Sequence, residues 1–163
     1  MANVKNLLLV ISILFCTSNL AQNFMPNTAL ENLENDIIYT DDIFSEDKFY
    51  IVSFWATWCI PCINELDAIV EIYPDWDDNN VEVIAISTDD SRTRKRVIPM
   101  INGKDWEFKI LIDENHDLKR SLNIVGIPHT IITKGKEIIY RRIGYSPGEE
   151  IELFEFIENF NRK

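Results

Sequence analysis

The chain has 163 residues, of which 46% are hydrophobic and 26% are charged. This length and composition predict one globular domain and exclude a disordered or low-complexity chain. Asp and Glu total 27 against 16 Lys and Arg, which gives a formal net charge of −11. Because an acidic protein repels phosphate backbones, the charge disfavours nucleic acid as a partner.

The first 21 residues differ in composition from the rest of the chain. Lys5 is their only charged side chain, and an apolar run follows from Leu7 to Phe15. The run is shorter than the ~20 apolar residues that span a bilayer. A basic start, a short apolar run and the small residue Ala21 predict a signal peptide over residues 1–21, cleaved before Gln22.

Two alternatives to a cleaved signal stay open, a lipoprotein signal that uses Cys16 and an uncleaved membrane anchor. In the leading interpretation Cys16 leaves with the signal, and the exported domain, residues 22–163, keeps Cys59 and Cys62. Cysteines of exported proteins can persist as disulfides. A domain of this size folds without a covalent staple, so the pair indicates redox chemistry rather than a structural role.

Predicted strands alternate with predicted helices along this domain. The first half of the domain is predicted to form a short hairpin within residues 28–45, a buried strand Phe49–Trp55, a helix from Pro61 to Pro74 and a strand Val81–Ser87. A helix that starts at Asp89 or Asp90 and is kinked by Pro99 should follow, and then a strand Phe108–Ile112 and a short helix Glu114–Leu122. The chain should end with a hairpin of His129–Thr133 and Glu137–Ile143 and with a last helix that has a Ser146 cap and Pro147 at its first position. The alternation predicts parallel pairing, and the late hairpin adds antiparallel strands. We therefore expect an α/β fold with a mixed sheet covered by helices on both faces.

The segment Trp55-Ala56-Thr57-Trp58-Cys59-Ile60-Pro61-Cys62 lies where a predicted strand passes into a predicted helix. Cys59 falls at the helix N-terminus, where free N–H groups and the helix dipole stabilise a thiolate. Cys62 follows one helical turn later, within reach for a disulfide. The pattern predicts thiol–disulfide exchange in which Cys59 attacks the substrate and Cys62 resolves the mixed disulfide.

With this motif the sequence resembles the thioredoxin superfamily over residues 28–163, and within it the exported TlpA/ResA-like thiol–disulfide oxidoreductases. Gly126-Ile127-Pro128 is similar to the cis-proline loop of that family. The resemblance implies a thioredoxin-like three-layer sandwich with an added N-terminal β-hairpin. It also implies that Trp58, Ile127 and Pro128 contact the substrate.

The same resemblance implies which molecules the protein acts on and where it acts. We expect the substrates to be protein disulfides or dithiols and the electron donor to be bound to a membrane. We also expect a monomer in the periplasm, without cofactor or metal. If the signal is not cleaved, the domain is tethered to the membrane.

Two positions depart from ordinary thioredoxin. Ser53 stands six residues before Cys59, where thioredoxin has a buried Asp, whereas Glu65, three residues past Cys62, matches an acidic residue of the exported branch. We expect partial burial to raise the pKa of Glu65, so that its carboxylate takes the proton of Cys62. The alternative is a solvated helix residue. His129 stands where related loops often carry Thr, either as a group that hydrogen-bonds a substrate or tunes Cys59, or as a loop residue without a catalytic part.

Other functions stay open as alternatives. Peroxiredoxins, which reduce peroxides, resemble Pro-x-x-x-Thr-x-x-Cys around their nucleophile, and the stretch before Cys59 lacks that Pro. A metal-carrying module of related fold is a second alternative, although zinc takes about four ligands. A purely structural disulfide is a third.

Overall fold

The computed structural model describes residues 23–73 and 80–162, which form a mixed seven-stranded sheet with α-helices against both faces. The predicted signal peptide and its cleavage point lie outside the described residues. The strands are β1 Ala29–Glu31, β2 Ile37–Tyr39, β3 Phe49–Trp55, β4 Val81–Ser87, β5 Lys109–Ile112, β6 His129–Lys134 and β7 Glu137–Ile143. The α-helices are α1 Ile60–Ile72, α2 Val97–Ile101, α3 Asp117–Ser121 and α4 Glu149–Asn161, and two 3-10 turns cover Thr40–Asp42 and Arg94–Arg96. Within the described part of the chain, no helix has the length and apolarity that crossing a membrane requires.

The strand order is β2-β1-β5-β4-β3-β6-β7. β3 pairs in parallel with β4, which pairs in parallel with β5, while β6, β7 and the early hairpin of β1 and β2 run antiparallel to their neighbours. All seven residues of β3 are buried. The predicted mixed sheet with an added N-terminal hairpin is therefore confirmed, and β3 supplies the central strand that leads to the Cys59 motif.

Helices cover both faces of the sheet, so the predicted three-layer arrangement is confirmed. One face packs against α1, α2 and α4 through Leu66, Ile69, Val97, Leu153 and Ile157. The other face packs against α3 through Leu118 and against the segments around it through Phe44, Leu122 and Ile124. The two layers leave the carboxyl ends of β3 and β4 and the start of β6 at one edge of the sheet.

The region after β4 is less helical than its sequence predicts. The Asp90 carboxylate accepts the backbone N–H groups of Arg92 and Thr93, but this closes a turn rather than the first turn of a long helix. The chain then forms a 3-10 turn, and α2 begins only at Val97. Pro99 does not kink a helix, because it lies in the first turn of α2, where its missing N–H has no partner to lose.

The last helix begins two residues later than predicted. Gly148, with φ of 99°, precedes Glu149, the first residue of α4. The Glu149 carboxylate accepts the Ser146 N–H at 2.7 Å, but no side chain caps the helix from the Gly148 position. Only the half of the capping box that depends on Glu149 therefore forms, because the left-handed turn at Gly148 moves the helix start past Pro147.

Candidate active site

The turn between β3 and α1 presents both cysteines. The Cys59 N–H donates to the Ala56 carbonyl at 3.0 Å, and Cys59 is the N-cap residue of α1, with Pro61 in the first turn. A disulfide joins Cys59 to Cys62 over a Cα–Cα distance of 5.3 Å. On reduction, the Cys59 sulfur lies at the end of a helix whose free N–H groups favour a thiolate.

The two cysteines differ in their surroundings. Cys62 is fully buried on the core-facing side of α1, whereas Cys59 keeps a small exposed fraction of 5%. The residues on either side of Cys59 are open, since Trp58 is 60% and Ile60 is 70% exposed. A substrate that reaches this edge of the sheet therefore meets Cys59 before Cys62.

The loop before β6 lies beside the disulfide. The Ile127–Pro128 bond is cis, as the resemblance implies, and the next residue, His129, is paired with Phe54 of β3. The Pro128 carbonyl accepts the Gly144 N–H at 2.9 Å. In contrast, the backbone N–H and C=O of Ile127 have no hydrogen-bond partner among residues 23–73 and 80–162. These two groups are free to pair with an extended substrate segment.

Glu65 is enclosed on the sheet side of α1, one turn after Cys62. Its side chain is fully buried, and its carboxylate accepts hydrogen bonds from the Ser53 hydroxyl at 3.0 Å, the Thr130 hydroxyl at 2.6 Å and the Arg142 guanidinium at 2.9 Å. The solvated alternative for Glu65 is therefore wrong. Cys62 and Glu65 share the buried face of α1 with Leu66 and Ile69.

The three donors to Glu65 form one row across the sheet. Ser53 of β3 is the register partner of Thr130 of β6, which is the partner of Arg142 of β7. The Arg142 side chain is only 10% exposed, and it also donates to the Glu149 carbonyl at 2.8 Å. Sequence reasoning missed Thr130 and Arg142, because 65 and 77 residues separate them from Glu65 and strand patterns do not reveal cross-strand partners.

Two opposing effects act on the Glu65 carboxyl. Burial raises its pKa above the ordinary value, because a charged carboxylate loses its hydration inside the protein. The hydrogen bonds from Thr130, Arg142 and Ser53, together with the positive charge of Arg142, oppose this rise. Glu65 is therefore a buried carboxyl group with a pKa above its ordinary value and with the Arg142 guanidinium beside it.

His129 is buried next to the cis-proline without a polar partner. Its side chain is 5% exposed, and neither ring nitrogen has a hydrogen-bond partner in the part of the chain that the structure describes. Burial and then the charge of Arg141 lower the pKa of His129 to about 4. At neutral pH the imidazole is uncharged, and it faces the core layer opposite to Glu65.

Fold and site together define a thioredoxin-fold protein with a redox-active pair of cysteines at the start of a helix. The chain belongs to the AhpC/TSA family, whose profile matches residues 21–142. Among curated proteins, it is 28% identical over 130 residues to the thiol-disulfide oxidoreductase ResA of Bacillus thuringiensis subsp. konkukian, an alignment that covers 79% of this chain and 73% of the relative. The thioredoxin-like protein YneN of Bacillus subtilis is also 28% identical, over 114 residues.

Solved structures agree with this assignment. An uncharacterized thioredoxin-like protein of Porphyromonas gingivalis shares 39% identity and superposes with a TM-score of 0.72, covering 85% of this chain and 91% of that protein. StoA of Bacillus subtilis, at 22% identity and a TM-score of 0.65, shares the fold over 80% of this chain and 97% of its own. The protein is therefore a thiol–disulfide oxidoreductase with a thioredoxin-like fold, and the resemblance noted in the sequence is confirmed.

Proposed function

We propose that the protein is an exported reductant of protein disulfides, in which Cys59 is the attacking thiol and Cys62 the resolving thiol. The observation that carries this proposal is the disulfide between an N-cap cysteine and a fully buried cysteine one turn inside α1. Cys59 has both the larger exposed fraction of the two cysteines and the helix N-terminus that favours a thiolate. Cys62 has neither, but it lies where it can attack Cys59.

The reaction proceeds by two exchanges. The Cys59 thiolate attacks one sulfur of the substrate disulfide, and the other substrate sulfur leaves as a thiolate. The Cys62 thiolate then attacks the Cys59 sulfur, which restores the Cys59–Cys62 disulfide and releases the second substrate thiolate. Two electrons pass to the substrate, so a membrane-bound donor must return two electrons in an oxidising compartment.

Glu65 is proposed as the group that takes the proton of Cys62. The second exchange requires a Cys62 thiolate in a fully buried site, where loss of hydration disfavours the charged sulfur. Glu65 follows Cys62 by three residues on α1, so the two side chains are neighbours on the buried face of the helix. A carboxylate with a raised pKa is matched to a proton acceptor at neutral pH.

The surface around the disulfide favours a polypeptide as substrate. Trp58 and Ile60 beside Cys59, Val125 in the loop before Pro128, and Ile143, the register partner of His129, are all exposed apolar side chains. Trp58 supplies apolar contact next to the reacting sulfur, and the free N–H and C=O of Ile127 supply backbone pairing. Pro128 restricts the backbone of the loop beside the disulfide, and it has no backbone N–H of its own.

Export is proposed from residues 1–21, whose composition is that of a signal peptide. The mature protein should begin near Gln22, act in the periplasm and be a monomer. Intact-mass measurement of protein recovered from outside the cytoplasm tests cleavage, and a mass that retains Met1 to Ala21 would instead support a tether. Retention of Cys16 with an added lipid mass would support the lipoprotein alternative.

Insulin reduction tests the activity itself. The wild-type protein, kept reduced by dithiothreitol, should accelerate insulin reduction, and Cys59→Ser should abolish the acceleration. Cys62→Ser should form persistent mixed disulfides with client proteins, because the resolving thiol is absent. Limiting alkylation of the reduced protein should label Cys59 first. Preferential labelling of Cys62 would reverse the assignment of roles.

Peroxide reduction is the competing function to be measured on the same samples. Turnover of hydrogen peroxide without a disulfide substrate, combined with no insulin reduction, would replace the proposal with the peroxidase alternative. For the metal-carrying alternative, residues 23–73 and 80–162 hold no cluster of three or more His, Cys, Asp or Glu side chains arranged to bind a metal ion. Metal analysis of the reduced full chain tests it directly.

A further inference from the structure

A second buried carboxylate lies against the turn that precedes Cys59. Asp89 is fully buried just beyond the end of β4. Its Oδ2 accepts the Thr57 backbone N–H at 2.8 Å and the Ser87 hydroxyl at 2.9 Å, and its Oδ1 accepts the Thr57 hydroxyl at 2.7 Å. Asp89 therefore holds both the backbone and the side chain of a residue two positions before Cys59.

The segment that follows β4 is also attached to β3 by the hydrogen bonds of Thr88. The Thr88 N–H and hydroxyl both donate to the Trp55 carbonyl, at 2.7 and 3.0 Å. The Thr88 carbonyl contacts the His116 Nε2 at 2.8 Å. The end of β4 thus fixes the chain from Trp55 to Thr57, which is the segment that places Cys59 at the start of α1.

Asp89 differs from Glu65 in the kind of partners that it has. Glu65 has a guanidinium beside it, whereas neutral donors alone bind Asp89 in the described part of the chain. The donors to Asp89 are one backbone N–H and two hydroxyls. No ion pair joins Asp89 to a cation among the described residues, and two of its hydrogen bonds hold Thr57, which lies two residues before Cys59.

We propose that Asp89 is a positioning residue that sets the reactivity of Cys59: it fixes the turn at Thr57, and its charge opposes the stabilisation of the Cys59 thiolate by the helix N-terminus. A thiolate that the protein stabilises strongly makes a cysteine pair oxidising, because it favours the reduced form. By opposing that stabilisation, Asp89 keeps the Cys59–Cys62 couple a donor of electrons. This inference rests on the proposed role of Cys59 as the attacking thiol.

The pH dependence of Cys59 alkylation separates the effect of charge from a merely structural effect. Asp89→Asn keeps the shape of the side chain and removes the charge. The midpoint of the alkylation profile should then move down by about one pH unit, a size typical of a single nearby charge. Because nucleophilicity falls as the thiolate becomes more stable, labelling should be about three-fold faster at pH 7 and slower than wild type at pH 10. A loosened turn alone does not produce profiles that cross.

Asp113→Asn is the matched control. Asp113 is also buried, and its carboxylate accepts the N–H groups of Leu118 and Lys119. It follows β5, which β4 separates from β3, whereas Asp89 follows β4 itself. Its substitution should lower the midpoint of urea unfolding and leave the Cys59 profile unchanged. The equilibrium of the Asp89→Asn variant with glutathione should also shift toward the dithiol, by an amount that grows with pH.

A profile of Asp89→Asn that coincides with that of Asp113→Asn would overturn the inference. If Asp89→Asn does not fold, Thr57→Val and Ser87→Ala decide the question, because each removes one hydroxyl donor and leaves the charge less neutralised. Both should slow Cys59 labelling at pH 7 about two-fold, and unchanged labelling in both would refute the charge effect. Labelling of Cys62 before Cys59 in the wild type is a separate result, which would refute the proposed roles of the cysteines.

Discussion

Ser53, Thr130 and Arg142 lie side by side across β3, β6 and β7, and they surround the Glu65 carboxylate on the face that α1 covers. We call them the Glu65 row. The next residues on the same strands, Phe54, His129 and Ile143, form the His129 row on the opposite face. In the Glu65 row a buried acid has three donors. In the His129 row a buried base has no hydrogen-bond partner among the described residues.

The difference shows two ways in which one sheet accommodates a buried ionisable group. In the Glu65 row, a cation and two hydroxyls offset part of the lost hydration, so a charged carboxylate is tolerated. In the His129 row nothing offsets it, so the imidazole gives up its charge and its pKa falls to about 4. The first arrangement suits proton transfer beside Cys62, and the second makes stability depend on pH. Four substitutions test this comparison.

Replacing Arg142 with Met should have the largest effect on stability. The substitution leaves the Glu65 carboxylate buried without its cation, and such losses ordinarily lower the free energy of unfolding by about 3 kcal/mol or more. The loss should be smaller at pH 5 than at pH 8, because without Arg142 the pKa of Glu65 rises further and a larger fraction of the carboxyl is protonated at the lower pH. Urea unfolding at both pH values measures this. The double variant with Glu65→Gln should regain part of the loss, and an equal loss in single and double variants would contradict a direct pair.

Replacing Glu65 with Gln should reduce the rate of insulin reduction about 10²-fold at neutral pH. Gln preserves the shape and hydrogen-bonding capacity of the side chain but takes up no proton. The loss should shrink at high pH, where hydroxide removes the Cys62 proton. A pH profile of turnover together with urea unfolding is the measurement. A rate loss of the same size at every pH would mean that Glu65 acts through structure, and an unchanged rate would remove it from the reaction.

Replacing His129 with Leu should abolish a pH-dependent loss of stability. The folded-state pKa of about 4 lies below the ordinary value of 6.5, so between these values the unfolded chain binds a proton that the folded protein does not. The free energy of unfolding of the wild type should therefore fall as pH falls from 7 toward 4, by about 2 kcal/mol at pH 5 relative to pH 8. The variant should lack this contribution. The matched control is His116→Gln, which should keep this contribution, because it leaves His129 unchanged; the ring of His116 contacts the Thr88 carbonyl.

Replacing Thr130 with Val should have the smallest effect in the Glu65 row. The change keeps the β-branched shape and removes one hydroxyl from the carboxylate, at a cost of about 1 kcal/mol in unfolding free energy. Thr133→Val on the same strand is the matched control. The Thr133 hydroxyl is buried without a hydrogen-bond partner in residues 23–73 and 80–162, so its removal should be neutral or stabilising. Equal losses at the two positions would show that the bond to Glu65 contributes nothing.

Much of the fold was predictable because its signals are local. The bounds of β3, β4 and β7 coincide with the predicted strands, since runs of β-branched and aromatic residues there end at clear turn residues. The helix after β4 was predicted poorly. Its polar and apolar residues fit a helical period, but Asp90 closes a turn with Arg92 and Thr93 instead of starting a helix.

The candidate site was predictable to a similar degree. The cysteine pair, the cis-proline loop and the position of Glu65 follow from spacing and resemblance along a few residues of chain. The donors to Glu65 and Asp89 do not, because register and packing bring together residues that are far apart in sequence. Ser53 illustrates the limit. The sequence shows only that this position lacks an acid, whereas in the fold the Ser53 hydroxyl donates to the Glu65 carboxylate.

By itself, the sequence determined the order of strands and helices, the acidic surface and the Cys59–Cys62 pair at a helix start. Each of these depends on residue types within one segment. Only the tertiary structure decided that Arg142 lies against Glu65, that His129 is left without a partner and that Asp89 holds Thr57. The reason is physical: the protonation state of a buried group depends on which charges and donors surround it. The donors to Glu65 come from three different strands, and the donors to Asp89 come from β4 and from the turn before α1.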